Sequence, residues 1–152
     1  MSSIAWHYTV GVHFENICAS GVILPATAYV PRRERPIVWF TSRDTFEPTA
    51  CKIWRNRDGT VVLLGIEQTA ELGGGLVRLG VPSATLIPWR RLPVAGRIDL
   101  RHSLSLEKNA RQKGSDPAPW FCTLEPVAVS ACIVDVYHGS AWVRVQPNRE
   151  AA

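Results

Sequence analysis

The sequence predicts one α+β domain with an antiparallel or mixed sheet and short flanking helices. The chain has 152 residues, enough for one ordinary domain core and too few for two well-stabilised ones. Short apolar runs typical of strands are interspersed with segments that have helical spacing. The clearest hairpin lies near the end, where residues 130–137 and 141–145 flank His138-Gly139-Ser140. We therefore expect a single domain over residues 1–146 and a flexible tail over residues 147–152.

The first elements form a strand, a helix and a second strand. Trp6–Thr9 predicts a strand, and about His13–Ser20 predicts an amphipathic helix that ends at Gly21, a residue suited to a left-handed terminator. The proline-rich residues 25–36 are expected to form an exposed loop long enough to cover a site. Ile37–Ser42 predicts the second strand.

The middle of the chain predicts another helix and the centre of the sheet. The spacing of apolar residues over Phe46–Trp54 favours a short helix. Asn56–Gly59 is a turn signal, and the continuous aliphatic run Thr60–Ile66 is typical of a central strand buried on both faces. Leu76–Val81 alternates as a half-buried strand would.

The remaining segments are less regular. Three prolines make residues 82–97 mostly irregular, while the charged residues 100–113 predict a surface helix ended by Gly114. Residues 115–119 are expected to form a loop before the final hairpin.

Cysteine and histidine spacing indicates neither a metal site nor a redox motif. The four cysteines are widely separated, without a Cys-x-x-Cys pair, and the four histidines lack metal-ligand spacing. No apolar run approaches the ~20 residues that span a bilayer, and no export signal is evident. We expect a cytoplasmic protein with four reduced thiols and no metal or membrane partner.

Positive charge is modest overall but concentrated in clusters. The formal net charge is +4. The clusters are Arg32, Arg33 and Arg35; Arg90, Arg91, Arg97 and Arg101; and Lys108, Arg111 and Lys113. Such clusters attract phosphates or nucleic acid but are also common on solvated surfaces, and without a recognised nucleic-acid-binding motif the sequence favours the second interpretation.

Polar groups end both early strands, which suggests a ligand cleft lined by strand ends. His7-Tyr8-Thr9, the helix ending at Gly21 and the strand Val38–Ser42 together resemble the ADP-ribosyltransferase superfamily, particularly its DNA-modifying toxins and the related RNA 2′-phosphotransferases. The resemblance covers about the first third of the chain. It implies a split sheet, NAD as substrate and transfer of ADP-ribose to a nucleic-acid or protein acceptor.

The resemblance also implies roles for individual residues. His7 would hold the adenosine ribose, although a histidine that caps the following helix is an equal alternative. Thr9 lies on the same strand face and would contact nicotinamide or cap the helix, whereas Tyr8 would point into the core. Trp39 would stack on nicotinamide or belong to the core, and Ser42 would hold the ribose.

The orienting carboxylate is assigned to Glu125, which precedes the last hairpin. A carboxylate is required because loss of nicotinamide builds oxocarbenium character on the ribose. Pro126 departs from the strand residue expected after Glu125. Glu47, directly after the second strand, is the alternative, and Asp135 is a third candidate whose alternation suggests a sheet-face residue.

Arg78 is a further candidate because a guanidinium among apolar strand residues requires a carboxylate or phosphate partner when buried. It would bind a pyrophosphate or, equally, face solvent on an edge strand. The sequence thus predicts an NAD-binding transferase with His7 and Glu125 as catalytic residues. The alternatives are an RNA-end phosphotransferase and a non-catalytic binding or partner-regulating module on the same fold.

Overall fold

A computed structural model describes residues 3–51 and 53–146 of the chain. Its main element is a seven-stranded sheet in the order β11-β10-β6-β1-β3-β8-β7, in which every neighbouring pair is antiparallel. The strands are β1 Ile4–Val10, β3 Val38–Thr41, β6 Leu76–Pro82, β7 Ile87–Pro88, β8 Trp120–Thr123, β10 Ile133–His138 and β11 Ala141–Val145. The described residues form one small α+β domain.

Short helices and two small sheets surround the main sheet. The α-helices are α1 Gly11–Ser20, α2 Ile66–Leu72, α3 Leu92–Ala95 and α4 Leu100–Gln112. One small sheet pairs β2 Val22–Ile23 with β9 Val127–Ala128, and the other pairs β4 Ile53–Arg55 with β5 Val61–Leu63. Single 3-10 turns lie at Pro48–Ala50, Ser83–Thr85, Trp89–Arg91 and Val129–Ala131.

The pairing of β1 changes abruptly across the middle of the main sheet. On one side β1 pairs with β6 along its whole length, from Ile4↔Pro82 to Val10↔Leu76. On the other side it pairs with β3 at Trp6↔Thr41 alone. The two halves of the sheet are therefore joined by one backbone pair, at the residue before His7.

Two apolar cores lie on opposite faces of β3. One core includes Ala5, Phe40, Leu79 and Val134, with Phe14 of α1 packed against it. The other is rich in tryptophan and is formed by Ile37, Trp89, Leu92, Ile98, Ala110, Trp120 and Cys122, with Trp39 and Leu106 at its border. Residues of β3 supply both cores because successive side chains of a strand point to opposite faces.

Several predicted elements are confirmed. The first strand, the first helix with Gly21 in the left-handed conformation, the surface helix and the final hairpin all form. The helix α1 begins at Gly11, two residues before its predicted start, because the backbone nitrogens of Gly11 and Val12 donate to the carbonyls of Gly75 and Gly73. The predicted tail 147–152 lies outside the described residues.

The middle of the chain differs from its prediction. Phe46–Trp54 holds a 3-10 turn and the start of β4 rather than a helix, with Pro48 at the beginning of the turn. The prediction of a central strand at Thr60–Ile66 is wrong: β5 covers Val61–Leu63 and is exposed in a separate hairpin. The central strand is β6, because it pairs with β1 on one side and with β10 on the other. Its first six residues are all buried.

Candidate functional site

A cavity of about 330 Å³ lies where β1 and β3 diverge. This volume falls at the lower end of the ~300–1,000 Å³ of small-molecule sites. Its lining is mostly aromatic, with a few polar groups: Trp6, His7, Tyr8, Trp39, Phe40, Thr41, Glu47, Thr49, Ala50, Leu106, Asn109, Lys113 and Trp120. Apolar walls with few convergent polar groups are characteristic of ligand sites.

His7 lies at the divergence of the two strands. Its Nδ1 is 2.8 Å from the carbonyl oxygen of Trp39, so this ring nitrogen must be the donor. Burial lowers the pKa of His7, although the hydrogen bond to Trp39 opposes the shift. The neutral ring therefore keeps Nε2 as a hydrogen-bond acceptor. His7 does not cap α1, whose N-cap is Val10 without a side-chain cap.

Glu47 is the one carboxylate that lines the cavity among the described residues. It is 5% exposed. Its Oε1 accepts hydrogen bonds from the Thr49 backbone nitrogen at 3.2 Å, the Thr49 hydroxyl at 2.8 Å and the Ser115 hydroxyl at 2.5 Å. Its Oε2 has no hydrogen-bond partner among the described residues and lies 3.7 Å from Arg43 Nε. One oxygen is thus anchored by hydrogen bonds, and the other forms an ion pair with Arg43 but has no hydrogen bond among the described residues.

The segment before Glu47 is held by side chains from three strands. Three successive carbonyls, those of Arg43, Asp44 and Thr45, accept hydrogen bonds. The donors are the Tyr8 hydroxyl at 2.7 Å, Arg78 Nη1 and Trp142 Nε1 at 2.8 Å. Burial raises the pKa of Tyr8 to about 12, so its hydroxyl stays protonated and able to donate. These bonds restrain the backbone that carries Glu47.

Arg78 is part of this support. It lies on β6, its Nη2 is 2.8 Å from Asp135 Oδ2, and its Cζ is 3.9 Å from the ring centre of Trp6. The alternative of a solvent-facing arginine on an edge strand is wrong, because β6 is a central strand and Arg78 is 9% exposed. Its charge is met by a carboxylate, as burial of a guanidinium requires.

The aromatic walls come from β1, β3 and β8, and Trp89 of the 3-10 turn after β7 packs behind them. The Trp39 and Trp120 ring centres are 5.6 Å apart with planes inclined by 70°, and Trp89 packs edge-on against Trp120 at 5.3 Å. Trp39 belongs both to the border of the core and to the cavity lining, and its stacking on nicotinamide stays a prediction. Tyr8 lines the cavity rather than pointing into the core as predicted.

The other predicted site residues lie elsewhere. Thr9 is half-buried opposite Val77, and Ser42 is exposed with its backbone nitrogen bonded to the Pro119 carbonyl; neither lines the cavity. Glu125 is exposed just beyond β8 and also lies outside the lining. Asp135 is buried on β10 with its carboxylate between Arg78 and Arg144.

The sequence did not indicate that α4 forms one wall of the cavity. Leu106, Asn109 and Lys113 are spaced by three and four residues, which places them on one face from α4 to its C-cap. Their spacing is visible in the sequence, but nothing local says which face meets β1 and β3. Lys113 supplies the only cationic side chain of the lining as described.

Within the described part of the chain, no cluster of three or more His, Cys, Asp and Glu side chains is suited to hold a metal ion. None of the helices described there combines the length and the apolar character required to cross a membrane. All four cysteines are free thiols. No protein-family model, curated protein or solved structure matches this chain.

Proposed function

We propose that this protein binds NAD in the cavity between β1 and β3 and transfers ADP-ribose to a macromolecular acceptor, as the resemblance to ADP-ribosyltransferases implies. The observation that carries the proposal is Glu47, a buried carboxylate in an aromatic cavity. One of its oxygens is anchored by hydrogen bonds, and the other lies 3.7 Å from Arg43 Nε without a hydrogen bond among the described residues. A buried carboxylate of this kind suits a ligand that supplies a hydroxyl donor and positive charge.

NAD offers both features at its nicotinamide ribose. In the reaction the C–N bond between nicotinamide and ribose breaks, and its electron pair leaves with neutral nicotinamide. The ribose gains oxocarbenium character, and an acceptor nucleophile forms the new bond and loses a proton. Glu47 Oε2 would accept a hydrogen bond from a ribose hydroxyl and stabilise the developing positive charge. We therefore assign to Glu47 the role that the sequence suggested for Glu125.

The remaining lining fits the rest of this substrate. The nicotinamide ring of NAD is cationic and flat, and the faces of Trp39 and Trp120 attract such rings. Lys113 provides a positive charge for the pyrophosphate. His7 Nε2 would accept a hydrogen bond from a ribose hydroxyl. Because four free cysteines are typical of a reducing compartment, we place this reaction in the cytoplasm.

The decisive experiment compares Glu47→Gln with the wild type. Glutamine retains an oxygen that can accept the three hydrogen bonds of Oε1, so the fold should persist. Nicotinamide release should fall by a factor on the order of 100 or more, with NAD affinity by calorimetry nearly unchanged. Labelled NAD would be supplied with separate pools of DNA, RNA and protein, so that the acceptor is identified in the same assay.

Glu125→Gln is the matched control because Glu125 is exposed outside the cavity. It should leave both NAD affinity and nicotinamide release unchanged. Loss of release in Glu125→Gln but not in Glu47→Gln would overturn the assignment to Glu47. NAD binding without nicotinamide release by the wild type would identify a binding module, and no binding at millimolar NAD would remove the proposal.

A further inference from the structure

We propose that a second surface, which we call the arginine face, binds single-stranded nucleic acid. It consists of the loop 25–36, the segment 89–97 and the first turn of α4. Its seven exposed arginines are Arg32, Arg33, Arg35, Arg90, Arg91, Arg97 and Arg101. This proposal concerns binding and does not depend on the NAD chemistry proposed above.

Tertiary contacts bring the three segments together. The backbone nitrogen of Arg35 donates to the carbonyl of Gly96 at 2.9 Å, which fixes the loop against the end of α3. The Glu34 carboxylate is 2.5 Å from His102 Nδ1 in the first turn of α4. The loop that carries Arg32, Arg33 and Arg35 therefore lies against the segments that carry Arg97 and Arg101.

The positive charge of this surface is not neutralised within the described residues. None of the seven arginine side chains forms an ion pair or hydrogen bond there. The two acidic residues in the same segments are already engaged: Glu34 with His102, and Asp99 as the cap of α4. The net charge of the whole chain is only +4, which is less than the charge of the seven arginines alone. Basic and acidic residues therefore nearly balance elsewhere, and the excess positive charge lies on this face.

An exposed aromatic side chain lies at the same surface. Tyr29 is 104% exposed, the limit of exposure for a tyrosine. It lies at the rim of a cavity of about 190 Å³ that is also lined by Arg35 and His102. An aromatic ring kept in solvent beside guanidinium groups provides a platform on which a base can stack.

Backbone strain is concentrated here as well. Tyr29 and Arg97 have φ values of +60° and +56°, and they are the two non-glycine residues with positive φ in the described chain. Bulky residues rarely adopt this conformation, and it persists where the surroundings impose it, commonly at functional positions. Both residues belong to the arginine face. At Arg97 the conformation ends α3, since the backbone nitrogens of Arg97 and Ile98 donate to the carbonyls of Val94 and Pro93, so Tyr29 is the position without such a helix-end explanation.

Phosphodiester chains match this chemistry better than other anionic partners. One guanidinium group can donate two parallel hydrogen bonds to the oxygens of a phosphate. The surface has arginines rather than lysines. Stacking on Tyr29 requires an unpaired base, which favours a single strand. This mode of binding tolerates many nucleotide sequences.

The test measures fluorescence anisotropy of labelled 20-nucleotide oligo(dT) and oligo(U) with the full chain, without NAD, at several salt concentrations. The double variants Arg32→Gln/Arg33→Gln and Arg91→Gln/Arg101→Gln should each weaken binding at least tenfold at low salt. For every arginine that no longer neutralises a phosphate, the slope of log affinity against log salt should decrease by about 0.7. Tyr29→Ala should weaken binding to single strands about fivefold or more while leaving binding to a 20-base-pair duplex unchanged.

Arg55→Gln/Arg57→Gln is the matched control, since it removes the same charge from exposed positions on the β4–β5 hairpin. It should change the affinity less than twofold, and melting temperatures should show that every variant is folded. An equal loss of affinity in this control would mean that net charge alone drives binding. No binding by the wild type, or tighter binding to phosphatidylserine vesicles or poly-glutamate than to either oligonucleotide, would overturn the proposal.

Discussion

The indole nitrogen of Trp142 donates a hydrogen bond to the backbone carbonyl of Thr45 at 2.8 Å, across 97 residues of sequence. This bond joins the last strand of the sheet to the segment that carries Glu47. Together with the bonds from Tyr8 and Arg78, it makes the position of the cavity carboxylate depend on three strands that are remote from it in sequence.

Trp142→Phe should loosen the segment around Thr45. Phenylalanine keeps an aromatic ring near Arg78 but cannot donate the hydrogen bond, whose loss should cost about 0.5–1.5 kcal/mol. Hydrogen exchange of backbone amides in residues 42–47 should accelerate. Trp54→Phe, on the exposed β4–β5 hairpin, should leave that exchange unchanged; equal exchange in both variants would show that the bond does not restrain the segment.

The two arginines that share Asp135 should differ greatly in their contribution to stability. The Arg78 side chain is 11% exposed and the Arg144 side chain 59% exposed. Arg78→Met should lower the free energy of unfolding by about 3–5 kcal/mol, because it removes the buried partner of a buried carboxylate. Arg144→Met should cost about 0–1 kcal/mol. Urea denaturation would measure both, and equal costs would contradict a dominant role for the Arg78–Asp135 pair.

The His7 ring should make stability fall in acid. Its pKa is lowered below 6.5 by burial, so between that lowered value and 6.5 the unfolded chain binds more protons than the native one. The stabilisation that depends on the neutral His7 ring is complete above about pH 6.5. It is lost as the pH falls through the lowered pKa. Urea denaturation of wild type and His7→Gln between pH 7.5 and 5 should show a shallower decline in the variant. If the free energy of unfolding had the same pH dependence in both proteins, the imidazole would not be buried in its neutral form.

Gly80 should resist substitution because the Trp6 ring occupies the space beside it. A Cβ atom added to Gly80 would lie 2.6 Å from Trp6 Cζ3 and 2.7 Å from Ile4 Cγ2. Gly80→Ala should lower the free energy of unfolding by about 1–3 kcal/mol as the ring is displaced. Gly65→Ser is the control, since nothing lies within 4 Å of a Cβ there. Similar stabilities of the two variants would contradict this packing.

The four thiols should react in the order of their exposure. Burial raises the pKa of Cys122 to about 12 and that of Cys132 to about 11, so few thiolates exist there at pH 8. Cys18 is exposed and should be alkylated first by iodoacetamide in the native protein, whereas Cys122 should react only after denaturation. Mass spectrometry of the labelled peptides would follow the order. Rapid native labelling of Cys122 would contradict its burial.

The strand-helix unit at the start of the chain was predictable because its signals are local. Helical apolar spacing and a terminating Gly21 identify α1, and the His138–Ser140 turn identifies the last hairpin. The prediction of a central strand at Thr60–Ile66 was wrong because a central position depends on segments that are distant in sequence. The apolar residues of this run are as aliphatic as those of a central strand, yet only pairing on both sides makes a strand central, and β6 has that pairing.

The candidate site also combines features that the sequence predicts with features that only the tertiary structure shows. The sequence by itself determined that His7 and Trp39 lie in two different strands and that Glu47 follows the second. The prediction that His7 ends its strand is wrong, because β1 continues to Val10. Only the tertiary structure showed that Glu47 is buried in the cavity and that Glu125 is exposed outside it. It also brought the loop 25–36, with its three arginines, against the segments that carry Arg97 and Arg101. The physical reason is that burial and charge pairing depend on segments far apart in sequence, whereas backbone conformation is largely set by near neighbours.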